Sequence, residues 1–218
     1  MSTSIGAIFD MDGVIVHSNP AHEETIIEFC EKYDRDVSDE FLRNNIFGRT
    51  NKEWIPELFG DITGDTLASY ADEKEAMFRE RFDPSSAMID GIVSFLDQLK
   101  EKSIPCVLAT SAPGANADYI LDALNIRSHF KTILDSSHVN LGKPEPEVYL
   151  KAAKSLNLPP SQCIVFEDSL AGVEAGRRAG AHVVGITSTH TSEELGDCVA
   201  TYENFSEIDL DELLELID

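Results

Sequence analysis

Basic residues are few in this chain. Lys and Arg number 17 against 40 Asp and Glu, which leaves a formal net charge of −23. Proteins that bind nucleic acids begin by neutralising phosphates with Lys and Arg, and acidic membrane leaflets attract the same side chains, so neither is an expected partner. Long hydrophobic runs are absent: nothing approaches the ~20 consecutive apolar residues of a membrane-spanning helix. Residues 1–9 lack the basic region and apolar stretch of a signal peptide, so the expected location is the cytoplasm. Cysteine is sparse as well. Cys30, Cys106, Cys163 and Cys198 stand far apart with no C-x-x-C pair, which speaks against zinc or a redox couple and for buried free thiols.

What is present is ordinary globular composition, with 42% hydrophobic and 26% charged residues over 218 positions. That length suits one large domain or two small ones. The acidic surplus reads either as a soluble surface or as a local demand for divalent cations.

Five short segments rich in apolar or β-branched residues read as buried strands, at 5–9, 105–110, 132–134, 163–166 and 182–186. Helical patterns lie between them, with apolar residues at Ile92, Phe95, Leu96 and Leu99, then over 119–124, 148–156 and 171–179. The alternation predicts an α/β fold, a Rossmann-like parallel sheet covered by helices on both faces. One interval breaks it. Between the first strand and the helix beginning near Asp90-Gly91 there is no strand pattern, only helical stretches at 21–32, near 40–44, at 52–59 and at 67–82, punctuated by Gly48, Pro56, Gly60 and Gly64. A connection of this length is expected to fold by itself, which divides the chain into a core of 1–16 plus 88–218 and an inserted helical unit of 17–87 above the sheet. Residues 203–218 carry seven acidic and no basic residues, yet Leu210, Leu213, Leu214 and Ile217 keep helical spacing and predict a docked terminal helix.

In an open parallel sheet ligands bind beyond the carboxyl ends of the strands. Here those positions hold Asp10, Met11, Asp12 and Gly13 after the first strand, Thr110-Ser111 after the second, Gly142-Lys143-Pro144 after the third and Glu167-Asp168 after the fourth. Taken singly, each has an ordinary explanation as a turn, a helix cap or a solvated lysine. A calcium-binding loop is excluded, because its glycine belongs at the sixth position whereas Gly13 is fourth from Asp10. Taken together, four acidic groups on one edge would repel one another without a cation among them, and oxygen donors with few neutralising charges suit Mg²⁺. Lys143 and the Thr110 hydroxyl would then face phosphate oxygens, which makes a phosphoryl-transfer constellation. The acidic pair divides the work: Asp10 can attack phosphorus while Asp12 protonates the leaving alkoxide and later takes a proton from water. A halide needs no such acid, so Asp12 and the metal site count against a dehalogenase.

These residues resemble the haloacid dehalogenase-like hydrolase superfamily over essentially the whole chain. Its four motifs are read in order as Phe9-Asp10-Met11-Asp12-Gly13-Val14, Leu108-Ala109-Thr110-Ser111, Gly142-Lys143-Pro144-Glu145-Pro146 and Phe166-Glu167-Asp168-Ser169-Leu170-Ala171-Gly172. The helical insert matches the family's α-helical cap, and the branch resembled is that of β-phosphoglucomutase and the small sugar-phosphate phosphatases. The resemblance implies Asp10 as nucleophile and metal ligand, and Asp12 as acid/base that also ligates through its backbone carbonyl. It implies Thr110 and the Ser111 backbone as the phosphoryl cradle, Lys143 as the cation beside the aspartyl phosphate, and Asp168 with Glu167 as the rest of the Mg²⁺ shell. In the cap, His22 matches a histidine used near the acid/base.

Departures bear on substrate. The mutases hold a second phosphate with a cap arginine, and aligning Phe47-Gly48-Arg49-Thr50-Asn51-Lys52 places Asn51 there, with Arg49 and Lys52 expected to point elsewhere from a helix start. His17 stands where an Asp is usual, and Asp90-Gly91 replaces a Pro-Gly. A phosphatase acting on a small phosphorylated metabolite is the first expectation and a sugar phosphomutase the second, with no protein partner predicted. A phospho-accepting receiver module also combines acidic residues, a Thr and a Lys on a parallel sheet, but it needs neither the long insert nor Glu167-Asp168. A silent binding protein would leave Asp12 idle.

Overall fold

In the computed structural model, residues 5–46, 49–60 and 62–217 are described. Phe47 and Gly48, which open the aligned cap stretch, lie outside them. Six parallel strands form one sheet in the order β3-β2-β1-β4-β5-β6. They are β1 (Gly6–Phe9), β2 (Cys106–Ala109), β3 (Phe130–Leu134), β4 (Cys163–Glu167), β5 (His182–Ile186) and β6 (Ala200–Tyr202). The central strands β1, β2 and β4 are buried along their whole length, as their unbroken apolar sequences require when helices cover both faces. The edge strand β6 was not anticipated: three half-buried residues, Ala200, Thr201 and Tyr202, are too few to carry an alternation.

Helices α5 (Ile92–Glu101), α6 (Gly114–Ala123) and the terminal α10 (Leu210–Leu216) cover one face. Helices α7 (Glu147–Leu156) and α8 (Leu170–Ala179), with the short α9 (Ser192–Leu195), cover the other. On the first face Phe9 and Phe166 stack with ring centroids 4.7 Å apart. Such a pair contributes about 0.5–1.5 kcal/mol beyond its burial, and it ties together the ends of β1 and β4, from which Asp10 and Glu167 project.

Between β1 and α5 the chain forms α1 (Asn19–Lys32), α2 (Asp39–Phe41), a π-helical turn at Leu42–Ile46, α3 (Asn51–Phe59) and α4 (Gly64–Arg81). Ile26, Phe29, Cys30, Leu42, Ile46, Trp54 and Ile55 give this segment an apolar cluster of its own, while Phe78 and Phe82 at the end of α4 join the main core. The two chain crossings run side by side, with Val16 bridged to Met88, His17 N donating to Ala87 O at 2.6 Å and Ile89 N to Ile15 O at 3.0 Å.

Three expectations need correction. Pro56 lies inside α3 rather than punctuating it. The four thiols are free, but Cys198 is half-buried whereas the other three are buried. The terminal helix is confined to Leu210–Leu216, because Asp209 caps it by accepting from Asp211 N and Glu212 N. Among the described residues no helix is long and apolar enough to cross a membrane.

Candidate active site

A parallel sheet delivers every strand's carboxyl end to one edge, and that edge collects the motif residues. Asp10 follows β1, with its backbone N donating to Phe166 O of β4 at 3.1 Å. Lys143 arrives from the loop between β3 and α7 and is almost wholly buried, at 1% exposure. An ammonium has three donors and no acceptor. All three are used: Lys143 Nζ donates to Asp10 Oδ1 at 2.7 Å, Glu167 Oε1 at 2.6 Å and Ala109 O at 3.4 Å.

Glu167 is saturated in turn. Its Oε1 also accepts from the Tyr149 hydroxyl at 2.5 Å, and its Oε2 accepts from Asp168 N, Ser169 N and Ser169 Oγ at 3.0, 3.2 and 3.1 Å. Burial alone would raise its pKa, but the charge and hydrogen bond of Lys143, with help from Tyr149 and Ser169, pull it below the usual range. Glu167 is thus the standing counter-ion of Lys143.

Asp10 and Asp168 are in the opposite condition. One ligand atom from each of Asp10, Glu167 and Asp168 lies within 4.8 Å of the others. Burial raises the Asp10 carboxyl to about 7, with Glu167 and Asp12 adding to the effect against Lys143. Burial, then the charges of Glu167 and Asp10, push Asp168 well above the carboxylate range. Two buried carboxyls that resist ionisation because burial and neighbouring carboxylates outweigh the one lysine they share, and that offer only oxygen donors, form a site that could hold a hard metal ion. Asp168 is held from both sides of the cleft, its Oδ2 accepting from Asn19 Nδ2 of α1 at 3.2 Å and from the Thr189 hydroxyl beyond β5.

Asp12 sits one turn on, where Gly13 adopts φ +78 and a Cβ would collide with the Asp168 carboxylate. Its Oδ1 accepts from Ser18 Oγ at 2.6 Å and lies 3.4 Å from His22 Nε2. Burial would raise this group, but His22 and Ser18 outweigh it and hold Asp12 below its ordinary value. Thr110 and Ser111 line the cleft after β2. Neither caps the next helix, which Pro113 precedes, and Thr110 Oγ1 instead accepts from Ala112 N at 3.0 Å.

The opposite wall comes from the helical segment: Asn19, His22 and Ile26 of α1, Ile46, Arg49, Asn51 and Trp54 around the start of α3, and Lys74 and Glu75 of α4. Arg49 was expected to point elsewhere and does not. Thr50 is the N-cap of α3, so Arg49 precedes the helix, and its guanidinium lines the cleft while gripping Glu57 at 2.8 and 3.3 Å and Asn45 O at 2.9 Å. Lys52 is exposed and outside the cleft.

Lys74 and Glu75 were missed by the sequence reading, although a signal existed. Ala71, Lys74, Glu75 and Phe78 fall on one helical stripe, and charges on a stripe that ends in a buried phenylalanine are unusual on a solvated face. Asn19, Thr189 and Tyr149 carried no comparable pattern.

A family model for haloacid dehalogenase-like hydrolases matches residues 6–180. Validoxylamine A 7'-phosphate phosphatase of Streptomyces hygroscopicus subsp. limoneus is 31% identical, over 93% of this chain and 94% of its own. A phosphorylated carbohydrates phosphatase of Thermotoga maritima is 33% identical over 79% and 80% respectively. Among solved structures, β-phosphoglucomutase from Clostridium difficile superposes with a TM-score of 0.87 at 25% identity, covering 98% of this chain and 97% of that one.

Proposed function

The chain belongs to the haloacid dehalogenase-like hydrolase family, and we propose that it is a Mg²⁺-dependent phosphatase of a small phosphorylated metabolite, a sugar or polyol phosphate, working through a phosphoaspartate on Asp10. The Asp10 and Asp168 carboxylates and the Asp12 backbone carbonyl would hold the metal ion, while Glu167, with both oxygens occupied, serves Lys143. When bound, Mg²⁺ supplies positive charge to the transferring phosphoryl oxygens.

The remaining chemistry falls to side chains. Asp10 attacks phosphorus as the bond to the leaving oxygen breaks, and Lys143, already 2.7 Å from Asp10, balances the charge that collects on the phosphoryl group. Asp12 gives its proton to the leaving alkoxide, which departs as the alcohol. In the free site Asp12 is ionised, and the arriving phosphoryl dianion raises its proton affinity to suit that step. Asp12 then takes a proton from the water that attacks the phosphoaspartate, releasing phosphate and restoring Asp10.

We treat residues 17–87 as a cap that opens about the crossings at Val16 and Met88, since Asp10 and Lys143 are 6% and 1% exposed and no substrate could reach them otherwise. Free thiols fit a reducing compartment, and the cytoplasm is the setting proposed.

One observation favours water over a sugar as phosphoryl acceptor. Among the described residues each cation at the cleft is already neutralised: Lys143 by Asp10 and Glu167, Lys74 by Glu75, and Arg49 by Glu57. A mutase must grip the distal phosphate of a bisphosphate intermediate, and Asn51 offers no charge for it. The second reading, a phosphomutase, draws on the presence of Arg49 in the cleft and on the likeness to β-phosphoglucomutase. Phosphorus NMR on a panel of sugar phosphates with Mg²⁺, including β-glucose 1-phosphate with a trace of the 1,6-bisphosphate, separates them. Free phosphate as the main product supports the phosphatase; isomerised sugar phosphate with little free phosphate would promote the mutase.

A further inference from the structure

The wall facing the nucleophile is built around a carboxylate. Glu75 is 5% exposed, yet it lines the cleft. Three elements fix it: Lys74 Nζ of α4 and Asn51 Nδ2 of α3 donate to its Oε1 at 2.6 and 2.7 Å, and Asn116 Nδ2 of α6 donates to its Oε2 at 2.5 Å. Arg79 in turn holds Asn116 Oδ1 at 2.7 Å. Burial would raise the Glu75 carboxyl, but the Lys74 charge and the hydrogen bonds from Lys74 and Asn51 bring it to about 2, so it is anionic throughout the physiological range.

Each nearby cation already faces a carboxylate of its own. Lys74 divides its donors between Glu75 and His22 Nδ1, and Arg49 is engaged by both oxygens of Glu57. Beside Glu75 stands an apolar wall of Ile26, Ile46 and Trp54, the last held by its Nε1 donating to Asn51 Oδ1 at 3.0 Å. Hydroxyl groups could donate to Glu75 Oε2, which among the described residues accepts from Asn116 alone, while carbon faces rest on the indole. A second anionic group would be stripped of water beside the Glu75 carboxylate, whose pairing with Lys74 leaves no net positive charge to receive it.

Resting on the phosphatase reading, we propose that Glu75 is a specificity-determining residue that restricts the leaving group to a neutral polyol and rejects metabolites bearing a second anionic group. The test compares substrates that differ only at the far end: sorbitol 6-phosphate against 6-phosphogluconate, and fructose 6-phosphate against fructose 1,6-bisphosphate, with p-nitrophenyl phosphate as a reference. The expected result is a kcat/KM roughly 100-fold or more in favour of the neutral member of each pair, and a ratio that narrows about tenfold or more in Glu75→Gln. Equal rates within the pairs, including no rate with either member while p-nitrophenyl phosphate is hydrolysed, overturn the proposal and leave the phosphatase reading standing. So does a folded Glu75→Gln whose ratio matches the wild type. No phosphate released from any substrate overturns both. The wild-type pairs decide the matter even where the variant fails to fold.

Discussion

Lys74 Nζ lies 3.2 Å from His22 Nδ1. An ammonium can only donate, so Nδ1 accepts, and the ring proton that matters is the one on Nε2, directed at Asp12 Oδ1. The imidazole is further pinned by stacking on Phe78, with ring centroids 3.7 Å apart and planes within 5°. Two helices of the inserted segment, α1 and α4, thereby set the state of a carboxylate that belongs to the sheet edge. In the proposed mechanism Asp12 would be set for acid/base work only with this helical segment seated against the sheet edge.

His22→Ala should therefore disturb acid/base chemistry more than binding. Losing the His22 hydrogen bond lets burial dominate, so the Asp12 pKa rises; the ionised form needed to activate water then appears only at higher pH. The acidic limb of kcat is expected to move upward in pH, with kcat near pH 6 falling about 10- to 100-fold for every substrate limited by hydrolysis of the shared phosphoaspartate, alkyl and p-nitrophenyl phosphates alike. A pH–rate profile that superposes on that of the wild type would refute the assignment.

Metal binding should compete with protons. Asp10 without metal titrates near 7 rather than at 3.8, so the folded chain holds this proton more tightly than the unfolded one. The sign follows: its contribution to the stability of the metal-free protein is present below about 4 and is lost as pH rises toward 7, with Asp168 acting in the same direction. Mg²⁺ needs the carboxylates, so its affinity should weaken at least roughly tenfold per unit below pH 7, with proton release on binding. Calorimetry at pH 6 and pH 8 in buffers of different ionisation enthalpy reads both effects, and a flat affinity would contradict them.

The strand-end residues were legible because parallel order alone brings them together: Asp10, Thr110, Lys143 and Asp168 needed only five recognisable strands. Glu167 was legible as a participant but not in its partnership, because Tyr149 lies on α7, in a stretch whose apolar spacing reads simply as core. Lys74 and Glu75 escaped notice because charged residues on a helix are by default assigned to solvent. Their burial is a product of α4 packing against α1, α3 and α6, which one sequence does not announce. Arg49 was misdirected although the helical stretch was placed at 52–59, one residue late; Thr50 with Glu53 three residues on is a capping box that marks the boundary and leaves Arg49 ahead of the helix.

Tyr149→Phe isolates the support beneath Lys143. The change is nearly isosteric in a fully buried position and removes one hydrogen bond to an ionised carboxylate, an interaction contributing about 1.5–3 kcal/mol. A fall in melting temperature of roughly 3–12 °C is expected, by scanning calorimetry, for a chain of this size. Glu167 Oε1 is then free to shift relative to Lys143, and kcat should drop about tenfold with KM little changed. Unaltered kcat in the variant would mean that the hydroxyl has no bearing on the lysine.

Gly172→Ala sets helix propensity against the site. Gly172 occupies the first turn of α8, and Gly to Ala inside a helix ordinarily gains about 0.5–1 kcal/mol. No left-handed backbone angle demands glycine here. What demands it is Glu167, whose carboxylate folds back under the helix start to accept Asp168 N and Ser169 N, and which fills the space a Cβ would take. A methyl group there must displace the carboxylate, breaking its 2.6 Å contact with Lys143 and leaving that buried ammonium with Asp10 and the Ala109 carbonyl alone. Removing one partner from a buried ion pair commonly costs about 3–5 kcal/mol, which exceeds the propensity gain. The variant should thus melt below the wild type and lose roughly 100-fold or more in kcat, measured by scanning calorimetry and phosphate release. An active and more stable Gly172→Ala protein would show that Glu167 is not what holds Lys143 in place.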